Sequence, residues 1–116
     1  MSPSLLDFLR HIEYECDYVL RVSEGKTKKE IISDETLSKA IVRSLEIIGE
    51  AVKHLPEDFK IQYPHLDWKE MAGMRNKLIH HYFGIEYDVV YNTVLNDIPE
   101  LAHEIKRIIE MESKEG

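Results

Sequence analysis

Leu37, Ile41, Leu45, Ile48, Val52 and Leu55 recur at intervals of three and four residues. That spacing gathers side chains on one face of a 3.6-residue helix. Ala40, Ile47 and Ala51 widen the stripe, so this helix is apolar over more than half its girth. Such a helix either sits at the centre of a helical domain or buries a second face against another subunit. The same period holds on both sides of it. Leu5, Phe8, Leu9, Ile12, Cys16, Val19 and Leu20 mark a helix to about Val22. Val90, Val94, Ile98, Leu101, Ile105 and Ile108 mark another, from Glu86 or Tyr87 to about Met111. No stretch alternates apolar and polar residues as a half-buried strand would. The expectation is an all-α protein, an antiparallel bundle of four to five helices forming a single domain over residues 1–116.

Turn and cap residues set the expected boundaries. Ser2-Pro3 suits the start of the first helix, because proline at the first helical position loses no needed hydrogen bond. Residues 23–34, with Gly25 and the basic cluster Lys26, Lys28 and Lys29, are expected to be a solvated linker. Asp34 is placed to cap the second helix, and Asp67 a later one. Pro56 and Pro64 bracket a short helical turn at residues 57–63. The helix after Asp67 is expected to run from Trp68 to about Tyr82 and to stop at Gly84 in the left-handed conformation that glycine favours. Pro99 should kink the last helix, since it removes a hydrogen bond and crowds the carbonyl of Leu95. The charged tail from Glu112 onward is expected to fray. His11, Tyr14 and Tyr18 flank the first stripe as an amphipathic rim, and His54, His65 and His103 have no partner pattern and are expected at the surface.

Charge and composition exclude several classes. A formal charge of −7 argues against coating a nucleic acid through bulk electrostatics, so any such contact must be local. One cysteine, Cys16, allows neither an internal disulfide nor a thiolate metal cluster and suits a reducing cytoplasm. The Met-Ser-Pro start leads into an acidic amphipathic pattern, unlike a signal peptide. No apolar run approaches the roughly 20 residues that would span a bilayer. A cytoplasmic protein without membrane contact is expected.

Chemistry-bearing residues concentrate in Ala72-Gly73-Met74-Arg75-Asn76-Lys77-Leu78-Ile79-His80-His81-Tyr82-Phe83-Gly84. On a continuous helix Trp68, Met71, Ala72, Leu78, Ile79 and Tyr82 share one stripe with Arg75 in its middle. A guanidinium cannot shed its charge, so on an apolar face it needs an anion or a wet cleft. Glu46 and Glu50, on the polar edge of the central helix, are candidate anions, although a simple surface ladder along that helix is the favoured role for them. A buried salt bridge fixing helix packing would account for an isolated arginine there. The same ideal helix sets His80 about 140° from Arg75, so the helix must tighten or unwind, or a second subunit must complete the site. His80 and His81 diverge by about 100°, a poor metal pair with no third ligand evident.

Arg75, His80 and Tyr82 fit the pattern Arg-x4-His-x-Tyr. With Arg43 to Ala51 (RSLEIIGEA), Trp68, Gly73 to Tyr91 (GMRNKLIHHYFGIEYDVVY) and the late Pro99, the chain resembles the HepT-like branch of the HEPN superfamily. The members of that branch are small all-helical proteins often paired with a minimal nucleotidyltransferase. The resemblance implies a toxin of a toxin–antitoxin pair, a metal-independent ribonuclease whose site forms across a homodimer. It implies that Arg75 and His80 are catalytic and that the antitoxin partner uses ATP to adenylylate Tyr82, silencing the toxin. No cofactor of the chain itself is implied. A polar residue after the arginine, here Asn76, also belongs to the pattern.

Those residue types suit the chemistry. RNA is cut when its 2′-hydroxyl attacks the neighbouring phosphorus, if one group takes that proton and another protonates the leaving oxygen. Histidine titrates near pH 6.5 and does either. Arginine's fork holds the phosphate and offsets charge growing on its oxygens. Asn76 is placed to orient the imidazole or bind a phosphate oxygen, and Lys77 to add local positive charge. The alternative is a non-catalytic HEPN module that binds substrate or nucleotide for its nucleotidyltransferase partner, a reading that the acidic balance favours.

Overall fold

Ser4 opens the first helix through a reciprocal cap. Its hydroxyl accepts the Asp7 backbone N–H at 3.2 Å while its own N–H donates to the Asp7 carboxylate at 2.8 Å. The computed structural model describes residues 4–80 and 84–115, so the start expected at Ser2-Pro3 lies outside the described residues, and α1 spans Leu5–Ser23. Gly25, at φ 72°, turns the chain in the left-handed region. The expected linker is then replaced by helix. Thr27 and Glu30 form a second reciprocal cap, and α2 spans Lys28–Ser33 with Ile31 buried. Lys28 pairs with Asp88 at 2.7 Å, so one of the three lysines ties this short helix down.

Asp34 accepts the Leu37 N–H at 3.0 Å and starts α3, Glu35–Lys53, as expected. Pro56 precedes α4, Glu57–Gln62. Asp67 accepts the Glu70 N–H at 2.9 Å and starts α5, which covers only Trp68–Ala72. Helix resumes after Gly73 as α6, Met74–Leu78. The chain then becomes extended, with β1 (Ile79–His80) pairing antiparallel with β2 (Gly84–Ile85) in the register Ile79 to Ile85 and His80 to Gly84. The Glu86 N–H closes this ribbon on the Leu78 carbonyl at 2.7 Å.

The expected long helix from Trp68 to Tyr82 is therefore corrected twice. It breaks at Gly73 and ends at Leu78. Gly84 does take the left-handed φ of 83°, but inside a strand pair rather than at a helix end.

The last helical run is α7, Tyr87–Asn92, a π-helical turn at Thr93–Asp97, and α8, Ile98–Glu115. Pro99 explains the turn's position, because its missing N–H leaves an upstream carbonyl without its helical donor. Within the turn the Ile98 N–H reaches back to Thr93. The tail does not fray from Glu112 as expected. Tyr63 donates its hydroxyl to the Glu112 carboxylate at 3.0 Å, and helix persists to Glu115.

Three long helical runs carry the core. Phe8 stacks on His54, and Tyr63, just beyond α4, holds Glu112. Lys28 and Asp88 meet at the opposite end, so α1 runs antiparallel to both α3 and α8. Leu9, Ile12, Cys16 and Val19 of α1 are fully buried against Ile41, Leu45, Ile48 and Val52 of α3 and Ile98, Ile105 and Ile108 of α8. The wide apolar girth of α3 is used within the chain, by α1 on one side and by α5 and α6 on the other. Ala40 and Ile47 remain half-exposed. Burial pushes the Cys16 thiol up to about 12.

Gly49 sets how closely α5 and α6 approach α3. A Cβ there would lie 3.0 Å from the Met71 carbonyl oxygen and 3.2 Å from the Met74 Cβ. Gly49→Val should lower the free energy of unfolding by about 1–3 kcal/mol through overpacking, read as a fall in the urea midpoint. An unchanged midpoint would contradict this close approach.

Candidate functional site

The break at Gly73 decides where Arg75 goes. Trp68 and Met71 of α5 are buried, and in α6 the buried pair is Met74 and Leu78, four residues apart. Arg75, adjacent to Met74, is turned out of the core with its side chain 60% exposed. The continuous-helix wheel that placed it in the apolar stripe does not apply, because Gly73 offsets the second segment from the first. A buried structural salt bridge is thereby excluded. Of the two candidate anions, Glu46 is the partner, with its carboxylate oxygen 3.5 Å from the Arg75 Nε. The Arg75 side chain stays more exposed than enclosed, while Glu46 is 18% exposed. Glu50 is engaged first by Lys53, at 3.0 Å, which holds its carboxyl below the usual range, with His54 and Arg75 adding smaller effects.

Lys77 leaves α6 on a different side. Its ammonium lies 2.7 Å from the Glu70 carboxylate, beside a crevice of about 200 Å³ lined also by Asp67, Met74, Asp97 and Glu100. Four carboxylates make that crevice a poor place for a phosphate, whatever its shape. Asn76 is exposed and makes no side-chain hydrogen bond among the described residues. The helix that would align Asn76 with His80 ends at Leu78, between the two. Of the two ways out of the ideal-helix conflict between Arg75 and His80, the chain takes unwinding, since His80 sits in extended backbone. For His80 only the backbone is described, and Tyr82, like His81, lies outside the described residues. The described geometry thus joins Arg75 to the α3 face, sends Lys77 elsewhere, and carries His80 into the strand after α6.

His54, His65 and His103 are exposed, as expected, and the first two have partners that no sequence pattern showed. The His65 Nε2 lies 2.8 Å from Glu104, which also takes Arg107 at 3.3 Å. The His65 bond and, secondarily, the Arg107 charge hold the Glu104 carboxyl below its ordinary value. His54 stacks on Phe8 at 5.4 Å between ring centroids. Among the described residues no group of three or more His, Cys, Asp or Glu side chains is arranged to hold a metal ion. No described helix is long and apolar enough to cross a membrane.

The chain is thus an all-α bundle with an exposed arginine just after a helix break and a histidine two residues beyond the helix end. The chain belongs to the ribonuclease HepT-like family, whose sequence pattern matches residues 12–108. It is 46% identical over 105 residues to a protein of Caldanaerobacter subterraneus named "Putative RNase", covering 90% of this chain and 94% of that one. A "Putative RNase" of Methanocaldococcus jannaschii is also 46% identical, over 90% of this chain and 84% of its own. A "Probable ribonuclease HepT" of Thermococcus cleftensis is 38% identical, over 93% and 98%. No solved structure matches the chain.

The exposure of Arg75 generates a stability prediction. In a double-mutant cycle with Arg75→Ala and Glu46→Gln, the coupling should be about 0.2–1 kcal/mol by urea denaturation, as for an exposed pair. A coupling above about 3 kcal/mol would show the pair to be buried and structural.

Proposed function

We propose that this protein is a metal-independent endoribonuclease, the toxin of a toxin–antitoxin pair, whose composite site uses Arg75 and His80 across a homodimer. The observation that carries the reading is the Arg75 side chain, more exposed than enclosed beside Glu46, in a chain of the ribonuclease HepT-like family. An arginine serving the fold would be enclosed by its partners. This one stands open to an incoming phosphate.

In the proposed reaction Arg75 grips the non-bridging oxygens of the scissile phosphate. A His80 imidazole takes the proton of the 2′-hydroxyl, and the 2′-oxygen bonds to phosphorus. The bond from phosphorus to the 5′-oxygen breaks, and that oxygen takes a proton from imidazolium. The products are a 2′,3′-cyclic phosphate and a free 5′-hydroxyl. A two-fold axis supplies one histidine for each proton transfer, and a second arginine, from a single short motif. Asn76 and Lys77 support phosphate binding in this scheme, Lys77 after exchanging Glu70 for the substrate. Control falls to a minimal nucleotidyltransferase antitoxin that transfers AMP from ATP to Tyr82. The added phosphodiester then competes with RNA for Arg75. The site of action is the cytoplasm.

The formal charge of −7 favours a second reading, a non-catalytic module that presents substrate or nucleotide to the nucleotidyltransferase. One experiment separates the two. The purified protein should cleave single-stranded RNA in the presence of chelator and leave a cyclic phosphate. Arg75→Ala and His80→Ala should each reduce the rate by about 10²–10⁴-fold while leaving the helical circular dichroism unchanged. No cleavage by the unmodified protein, or full cleavage by both variants, would contradict the ribonuclease reading.

A further inference from the structure

The described cations on the exposed edge of α3 are not equivalent. Lys39 is held by Glu35 at 2.8 Å and Lys53 by Glu50 at 3.0 Å, each from its own helix. Arg75, reaching across from α6, has Glu46. Arg43 lies on the same edge, one turn before Glu46 and one turn after Lys39. It is exposed and, among the described residues, has no carboxylate within ion-pair distance.

Its position is set by how α6 crosses α3. Met74 lies over Gly49 and Arg75 reaches Glu46, so moving forward on α6 means moving back along α3. Leu78 ends α6 and is bonded through its carbonyl to Glu86. Arg43 lies one turn further back along α3 from Glu46, in the direction that α6 takes. Beyond it, away from α6, a groove of about 210 Å³ opens between α3 and α1, lined by Phe8, His11, Ile47, Glu50 and His54. The rings of Phe8 and His54 lie nearly parallel there, at 11°. Glu50, the groove's acidic wall, is already neutralised by Lys53.

We propose that Arg43 and this groove form a subsite for a nucleotide of single-stranded RNA adjoining the one cleaved. Arg43 holds that nucleotide's phosphate, and the Phe8–His54 pair receives its base. The inference rests on the ribonuclease reading of Arg75 and His80 and extends it with a binding residue on α3. A free guanidinium suits a phosphate, and an aromatic pair accepts any base through its π-face. The acidic protein then meets RNA through local contacts, at Arg43 and at Arg75 once a phosphate displaces Glu46, rather than through its net charge.

The test uses the full chain and a short single-stranded RNA carrying a 2′-deoxy sugar at the cleavage position, so that binding is read without cutting. By fluorescence anisotropy, Arg43→Ala should weaken binding about tenfold and reduce the slope of log Kd against log salt by about 0.7, the contribution of one phosphate contact on a single strand. Arg43→Lys should keep the slope, since it keeps the charge, and recover part of the affinity. His54→Ala should weaken binding with the slope unchanged, as loss of stacking does. Unaltered binding in Arg43→Ala, or a loss with no change of slope, would overturn the subsite, as would absence of binding by the unmodified protein. If the unmodified protein binds this strand and Arg43→Ala behaves as expected, but no RNA is cleaved, the ribonuclease reading fails while the subsite stands.

Discussion

Gly49 has no Cβ, and the Met71 carbonyl of α5 lies where one would press. That close approach fixes the height of the α5–α6 junction on α3, and the break at Gly73 sits within it. The consequences run outward from there. Met74 and Leu78 take the inward positions of α6, Arg75 is left facing solvent beside Glu46, and the chain beyond Leu78 lifts off as a ribbon. A continuous helix through Gly73 would have carried the guanidinium into the apolar seam, where desolvation opposes it. The local backbone thus resolves a conflict between pattern and residue type by giving up helix.

Much of the architecture was legible as period and caps. The stripes of α1, α3 and α8 are the core, and Asp34 and Asp67 cap where their side chains suggest. The departures have particular causes. Thr27 and Glu30 form a capping box inside a stretch that composition marks as linker, and Ile31 with the Lys28–Asp88 pair anchors it. Two-residue strands are too short to show alternation. The Tyr63 bond to Glu112 and the His65 pair with Glu104 join residues 49 and 39 positions apart, which no local pattern announces. At the site, Arg75 stood out by type, and Glu46 was one of two candidate partners for which a surface ladder was the favoured role. Its exposure was not legible, because a helical wheel assumes unbroken helix. Arg43 opened the RSLEIIGEA segment of the resemblance but carried no role there, since an exposed arginine on a polar edge is ordinary until the neighbouring chain is known.

Electrostatics on α3 are local and mostly settled within the helix. Lysines pair with carboxylates three or four residues away, contributions of tenths of a kcal/mol that salt screens. Against that neutral background two arginines keep exposed guanidinium groups. An acidic protein can therefore offer a guanidinium to an anion without a positive surface. The crevice on the other side of α6, with its carboxylates and the engaged Lys77, is its electrostatic opposite.

The account turns on the backbone between Arg75 and Gly84 switching from helix to ribbon. Nuclear Overhauser spectroscopy of the isotope-labelled protein tests this directly. Cross-strand contacts between Ile79 and Ile85, with extended-chain couplings at Ile79 and His80, are the predicted result. An unbroken series of helical i to i+3 contacts from Trp68 through His80 would contradict it, and would return Arg75 to the apolar seam.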